Sequence, residues 1–483
     1  MIVRRFYDEK LAQASWLVGC GASGEALVVD ANRDVEQYIR VAEQEGVRIT
    51  HVTETHIHAD FVSGSRELAQ RTDAQLYLSA EGGPEWSYRY AREAEAVLLR
   101  DGDEFRVGNV RVRTMHTPGH TPEHVVFIVT DGASADQPMG VFTGDFVFVG
   151  DVGRPDLLER AAGLVGTMEA GARDLFRSLQ RFRSELPDFV QLWPGHGAGS
   201  ACGKALGAVP QSTLGYEKLF NIGLAEQDES AFVRTILAGQ PEPPKYFAEM
   251  KRINRDGPRV LGGFRSPPRQ SEQSLESVLA DGAVVIDTRP AVEYAAEHIP
   301  GTINIPENRS FTTWAGWLVP YDRDFYLIVD GSCANVETAV RDLTMIGLDR
   351  VAGWFDAGVV ETWRTQRHAT ASIDHVDLQQ VQTLLRERSA YVIDVRDGAE
   401  WEAGHLPGVP NIPVGHLVDR LDEIPRDRPV VVHCQTGGRS AIAASVLEAN
   451  GVDDVLNYVG GFSEWQSAGQ PVEREDDAVT ATA

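Results

Sequence analysis

Short apolar runs dominate the first half of the chain, each bounded by Gly, Pro or polar residues. "VRVRTMH" (Val110 to His116) and "VFTGD" (Val141 to Asp145) are two of them, and their length and flanks predict β-strands that release into loops. The pattern changes at "RSPPRQSEQS" (Arg265 to Ser274), a stretch of Pro, Ser and charge with no apolar period, which reads as a linker. Beyond it, strand-like runs alternate with helix-like ones, and the alternation repeats. "VVIDTRPAVEYAAEHIPGTINIP" (Val284 to Pro306) returns as "YVIDVRDGAEWEAGHLPGVPNIP" (Tyr391 to Pro413), with Asp287 and Asp394, His298 and His405, Gly301 and Gly408, and Pro306 and Pro413 at one constant spacing. Matched residues at a constant offset signal a duplicated domain. Each copy reads as a buried strand ending in Asp, a short acidic helix, a turn, a second strand, and a third strand entering a long helix, which predicts a parallel α/β sheet. The chain is therefore expected to hold an N-terminal domain (1–268), two α/β copies (272–370 and 373–473) and an acidic, flexible tail (474–483).

Bulk properties narrow the function classes. A chain of 483 residues exceeds what one hydrophobic core supports, so several domains are expected. No apolar run approaches the roughly 18–20 residues of a membrane span, and "MIVRRFYDEKLAQASW" breaks its apolar character at Asp8, Glu9 and Lys10, unlike a secretory leader. A cytoplasmic protein with no membrane partner is expected. The formal charge of −26 opposes contact with nucleic acid, which relies on clustered Lys and Arg. The four cysteines, Cys20, Cys202, Cys333 and Cys434, form no C-x-x-C pair, so neither a disulfide framework nor a cysteine zinc site is implied.

Histidines and carboxylates recur at strand ends in the first domain: "THIHAD" with His56, His58 and Asp60, "HTPGHTPEH" with His120, "FTGD" with Asp145, and "WPGH" with His196. Loops at the ends of different strands can converge on one ion. These motifs resemble the metallo-β-lactamase fold, a four-layer αββα sandwich used by lactamases, glyoxalase II and persulfide dioxygenases. In the two-zinc hydrolases of that group the residue after the aspartate is a histidine that helps hold the second metal. Here it is Phe61, which offers no lone pair, so a second site should be weakened. The resemblance to persulfide dioxygenases implies one Fe(II) per chain held by His56, His120 and Asp145, a set of two histidines and one carboxylate suited to non-heme iron with open positions. It also implies that His58, Asp60 and His196 orient ligands or contact water. "GDVGRPDL", with Arg154, matches the stretch after the metal aspartate, and "GAGSACGKALGAVPQSTLGYEKLFN" looks like bacterial dioxygenases fused to sulfurtransferase domains. Cys202 in that segment is a candidate for touching substrate sulfur or a buried structural thiol, and Lys204 and Lys218 are candidate clamps for an anionic thiol carrier.

The second α/β copy contains "VVVHCQTGGRSAIAASVLE", a strand running into Cys434, the loop Gln435, Thr436, Gly437, Gly438 and Arg439, and then a helix. Such a loop points backbone N–H groups at the sulfur and adds Arg439, favouring an anionic nucleophile. The pattern resembles rhodanese, whose cysteine carries sulfane sulfur as a persulfide. In the first copy Asp330 stands opposite Cys434, Asn335 opposite Arg439, and Cys333 opposite Gly437. That copy is expected to be a non-catalytic spacer or dimerisation module.

The leading expectation is a persulfide dioxygenase fused to a sulfurtransferase. It would oxidise R-SSH, with glutathione, coenzyme A or a similar thiol as carrier, using O₂, and pass sulfane sulfur to sulfite to give thiosulfate. A homo-oligomer is expected. The alternatives are a zinc-dependent thioester hydrolase resembling glyoxalase II and a sulfur-relay scaffold that catalyses no oxidation.

Overall fold

The computed structural model describes residues 1–160, 166–204 and 206–474, so positions 475–483 of the expected tail lie outside the described residues. The chain divides into two compact units, Met1–Phe264 with Thr344–Gly347, and Arg265–Leu343 with the described residues from Leu348 onward.

In the first unit the short apolar runs build two six-stranded sheets. One contains β1 (Ile2–Asp8), β2 (Gln13–Cys20), β3 (Glu25–Val29), β4 (Arg48–Thr53), β5 (Gln75–Ser79) and β6 (Val97–Leu99), side by side in that order. The other contains β7 (Glu104–Val107), β8 (Val110–His116), β9 (Val125–Asp131), β10 (Gly140–Gly144), β11 (Gln191–Pro194) and β12 (Ser212–Thr213), also in chain order.

Alternation of side chains along the strands assigns the layers. Trp16, Val18, Leu27 and Val29 of the first sheet meet Val125, Phe127, Val129 and Phe142 of the second in one core. The intervening residues face outward. Leu17 and Val28 pack on Tyr38, Ala42 and Leu68 of the helices Glu36–Gln44 and Ser65–Thr72, and Val126 and Ile128 pack on Leu175, Leu179 and Phe182 of the helix Met168–Glu185. Helix, sheet, sheet, helix is the αββα sandwich. With both faces covered, β9 (VVFIVTD) is buried except at Asp131, which is why it reads as a continuous apolar run.

In the second unit each sequence copy forms a four-stranded parallel sheet. The first has β13 (Val284–Asp287), β14 (Ile303–Asn304), β15 (Phe325–Val329) and β16 (Val351–Asp356) in the order β14-β13-β15-β16. The second has β17 (Asp374–Val376), β18 (Tyr391–Asp394), β19 (Val430–His433) and β20 (Val455–Tyr458) in the order β17-β20-β19-β18.

The repeated residues make repeated bonds. Arg289 grips Asp287 (Nη2–Oδ2 2.6 Å) and the Glu297 carbonyl (3.1 Å), and Arg396 grips Asp394 (2.6 Å) and the Gly404 carbonyl (2.8 Å). His298 Nδ1 donates to the Tyr294 carbonyl and His405 Nδ1 to that of Trp401, both at 2.8 Å. The strand-terminal Asp and the turn His are thus buried anchors of each sheet's end. Among the described residues no helix is long and apolar enough to cross a membrane.

Candidate metal centre and cysteine loop

Four strands of the first unit release into the loops that carry the site: β4 before His56, β8 before His120, β10 directly before Asp145 and β11 before His196. The ligating atoms of His56, His120 and Asp145 all lie within 4.8 Å of one another and are buried. His56 Nε2 stands 3.8 Å and His120 Nε2 3.7 Å from Asp145 Oδ2. His56 Nε2 and Asp145 Oδ2 make no hydrogen bond. The partners of the other ring nitrogens explain this.

His120 Nδ1 faces the Arg154 carbonyl at 3.2 Å, which can only accept, so the proton sits on Nδ1 and the Nε2 lone pair points inward. His56 Nδ1 lies 2.9 Å from Thr55 Oγ1, whose own proton goes to Asp30 Oδ2 (2.9 Å), and the same tautomer follows. Burial holds both imidazoles below their usual pKa, and so neutral. Two neutral Nε2 lone pairs and a carboxylate oxygen, converging without a proton between them, fit one cation.

His196 bridges two carboxylates, with Nδ1 2.7 Å from Asp145 Oδ1 and Nε2 2.7 Å from Asp60 Oδ2. Burial alone would lower its pKa, but Asp145 and Asp60 outweigh it and raise it well above the usual value. It therefore holds Asp145 so that Oδ2 is left for the cation. Cys202 joins Asp60 and His196 in a second buried group whose ligating atoms lie within 4.8 Å of one another, and burial, with Asp60 and Asp145 nearby, pushes its thiol pKa up. Cys202 is thus brought to the site. Phe61 packs fully buried against the His58 ring (centroids 4.4 Å apart). His58 Nε2 meets Asp30 Oδ1 at 3.1 Å. Burial disfavours its protonation, but Asp30 dominates and raises its pKa to about 9.

Arg154, a candidate to support the site or meet substrate, and the candidate clamps Lys204 and Lys218 are each held by partners of their own. The Arg154 guanidinium is buried on Asp156 (Nη2–Oδ2 2.7 Å) and on the Ala201 and Pro241 carbonyls (2.9 and 2.6 Å). It braces the Cys202 loop, while its carbonyl holds His120. Lys204 is exposed and donates to the Ala238 carbonyl (2.7 Å), and Lys218 pairs with Asp188 (2.5 Å). These surface partners hold both ammonium groups, and neither lysine is brought to the metal donors.

Two residues escaped the sequence reading. Asp30, at the end of β3, ties Thr55 and His58 together; an apolar run ending in Asp, as in "ALVVD", was the available signal. His124, within "HTPGHTPEH", accepts from the Asp145 backbone N–H at Nε2 (3.2 Å) and stacks on His56 with centroids 5.0 Å apart.

In the second unit, β19 runs into Cys434, whose sulfur receives the Gly437 N–H at 3.2 Å and lies 3.6 Å from Ser440 Oγ. Gly437 has φ +91°, and a Cβ there would meet the Val459 carbonyl at 2.8 Å, whereas one at Gly438 would meet nothing within 4 Å. Gly437→Ala is therefore expected to lower stability by about 1–3 kcal/mol, with Gly438→Ala near neutral. Denaturant melts of the two variants check this pair. Arg439 binds Glu400 through both nitrogens, the Nη2–Oε1 contact at 2.8 Å. Gln435 bonds Ser463 Oγ (2.8 Å) and Arg396 (3.2 Å), bracing the loop, and Thr436 is exposed. In the first copy Asp330 is exposed at the end of β15, and the helix Cys333–Met345 follows. The Cys333 side chain lies outside the described residues.

With this geometry in hand, comparison with known proteins assigns the family. Residues 9–196 match the model of the metallo-beta-lactamase superfamily, and residues 271–360 and 377–468 match that of the rhodanese-like domain. A metallo-beta-lactamase crystal structure from Staphylococcus aureus subsp. aureus COL is 42% identical over 74% of this chain and 98% of its own, with a TM-score of 0.65. A hydroxyacylglutathione hydrolase from Methylococcus capsulatus is 29% identical over 42% of this chain and 74% of its own length. The ETHE1 structure from Myxococcus xanthus is 26% identical over 53% of this chain and 98% of its own, with a TM-score of 0.43. The chain belongs to the metallo-beta-lactamase superfamily and carries two rhodanese-like domains after its metal-binding domain.

Proposed function

We propose that the protein is a persulfide dioxygenase and sulfurtransferase in one chain, acting on small thiol persulfides. The observation that carries this reading is the set His56, His120 and Asp145, two histidines and one carboxylate whose ligating atoms converge within 4.8 Å, with His56 Nε2 and Asp145 Oδ2 buried and without a hydrogen bond, joined in sequence to a rhodanese-like loop with an intact nucleophile. Ferrous iron held by these three residues would supply the redox chemistry by which a persulfide and O₂ react.

The residues do the rest. His56 and His120 keep their protons on Nδ1, so Nε2 stays a donor; His196 holds Asp145 Oδ1 and leaves Oδ2 free. Cys202 places a thiol beside Asp60 and Asp145, where a sulfur chain can be met by sulfur, and Phe61 covers His58 with an apolar ring. The overall change balances without an external reductant: R-SSH + O₂ + H₂O gives R-SH + SO₃²⁻ + 2 H⁺, the sulfane sulfur losing four electrons and O₂ gaining four. Cys434 then passes a second sulfane sulfur to sulfite, giving thiosulfate.

A zinc-dependent thioester hydrolase is favoured by one observation, the second donor group Asp60, His196 and Cys202, and by the likeness to a hydroxyacylglutathione hydrolase. Against it, both His196 nitrogens are already engaged by carboxylates and Phe61 offers no ligand. Metal analysis of protein purified without added metal separates the two readings. One iron per chain is expected, and two tightly held zinc ions with thioester cleavage would overturn the proposal.

A further inference from the structure

The loop that carries His56, His58 and Asp60 joins β4 to the helix Ser65–Thr72, and residues 55–64 are buried except at Ala59. Buried backbone N–H and C=O groups must find partners, and an irregular loop cannot pair its own. Most of the partners come from one distant side chain. Asn254, itself buried, donates from Nδ2 to the His58 carbonyl at 2.8 Å and to the Phe61 carbonyl at 2.7 Å, and its Oδ1 accepts the Ser63 N–H at 2.9 Å. Both amide protons are used, and the partners fix which atom is nitrogen and which is oxygen. At the two ends of the loop, Glu123 Oε1 accepts the Ile57 N–H and the Ala31 carbonyl accepts that of Gly64, both at 2.8 Å.

Asn254 stands on the helix Tyr246–Asp256, where Tyr246, Met250 and Asn254 are buried at successive intervals of four along one face. That helix lies beyond residues 9–196, which match the superfamily. Its reach into the metal centre runs through Asp60, whose backbone sits between the two carbonyls that Asn254 holds. Asp60 Oδ2 is 2.7 Å from His196 Nε2, and His196 Nδ1 is 2.7 Å from Asp145 Oδ1. Asp145 Oδ2 is thereby left facing His56 Nε2 at 3.8 Å and His120 Nε2 at 3.7 Å. The same bonds hold the stretch from which Phe61 turns its ring onto His58.

We infer that Asn254 is a positioning residue of the metal centre: it fixes the backbone on both sides of Asp60, so that Asp60, His196 and Asp145 hold one another with Asp145 Oδ2 aimed at the cation. The inference rests on the metal-binding part of the proposed function and is independent of which reaction the metal performs. A short carboxamide suits the place because one planar group supplies two donors and an acceptor. Alanine supplies none of them. Aspartate keeps the acceptor for Ser63 but sets a carboxylate oxygen against two carbonyls.

The test titrates Co²⁺ into the metal-free full-length chain and reads both its affinity and the visible absorption of the bound ion, whose shape reports the arrangement of donors. Asn254→Ala is expected to weaken Co²⁺ binding about tenfold or more, the size of effect seen when a group that orients a ligand is lost. The absorption should change with it, while thiosulfate:cyanide transfer by Cys434 stays at the unmutated rate. Asn254→Asp, of nearly the same size, should weaken binding in the same direction and replaces the alanine variant if that one does not fold. Unchanged affinity and absorption in a variant that merely melts at a lower temperature would reduce Asn254 to an anchor for its helix and overturn the inference. An unmutated chain that binds no Co²⁺ would instead overturn the metal-centre reading on which it rests.

Discussion

Cys434→Ser is expected to lower thiosulfate:acceptor sulfurtransfer by on the order of 10³-fold or more while O₂ consumption with a small persulfide continues. The magnitude follows from the chemistry of nucleophile removal, which in enzymes with a covalent intermediate abolishes most of the catalysis. Serine keeps the shape of the loop and can still meet the Gly437 N–H, which donates to Sγ at 3.2 Å in the unmutated chain. A hydroxyl, however, stays protonated near neutral pH and forms no persulfide. The donors for oxidation, His56, His120 and Asp145, belong to the other compact unit, so the product should move from thiosulfate toward free sulfite. Two outcomes contradict this division. Loss of O₂ uptake with the metal retained would mean that Cys434 loads the oxidation site. An unchanged thiosulfate yield would mean that Cys202 or Cys333 carries the sulfur.

Asp145→Asn should act in reverse. The substitution keeps a side chain of nearly the same shape and leaves an oxygen or an amide for His196, which Asp145 now meets at 2.7 Å. It removes the negative charge from the atom that His56 and His120 approach at 3.8 and 3.7 Å. Loss of a ligand's charge weakens metal binding by more than the roughly 10–100-fold seen when only a supporting partner is lost. Metal content and O₂ uptake are therefore expected to fall below detection, while thiosulfate:cyanide transfer stays at the unmutated rate. His120→Ala should give the same pattern. Loss of both activities in folded protein would show that the two chemistries are not separable.

Much of this was legible in the sequence because the chemistry sits where strands stop. His56, His120, Asp145 and His196 each follow an apolar run, and the same runs are the strands whose ends place them. The repeat was readable for a related reason. Asp287 with Arg289, and Asp394 with Arg396, are local pairs two residues apart, so their spacing survives in the chain. What stayed hidden depends on distant contacts. Asp30 acts on Thr55 and His58 from the end of another strand; the run "ALVVD" marks it as a strand-end carboxylate but does not reveal its partners. Lys204 and Lys218 were attractive as cations near Cys202, yet their long side chains are held by a carbonyl and a carboxylate at the surface.

The most direct measurement is O₂ uptake against persulfide supplied, with iron-loaded full-length protein and sulfite, thiosulfate and thiol quantified together. The account predicts one O₂ consumed per sulfane sulfur oxidised, with sulfite as the first product in the Cys434→Ser variant and thiosulfate in the unmutated chain. Thiol released from a thioester without O₂ uptake, and no O₂ consumed with any persulfide, would contradict it.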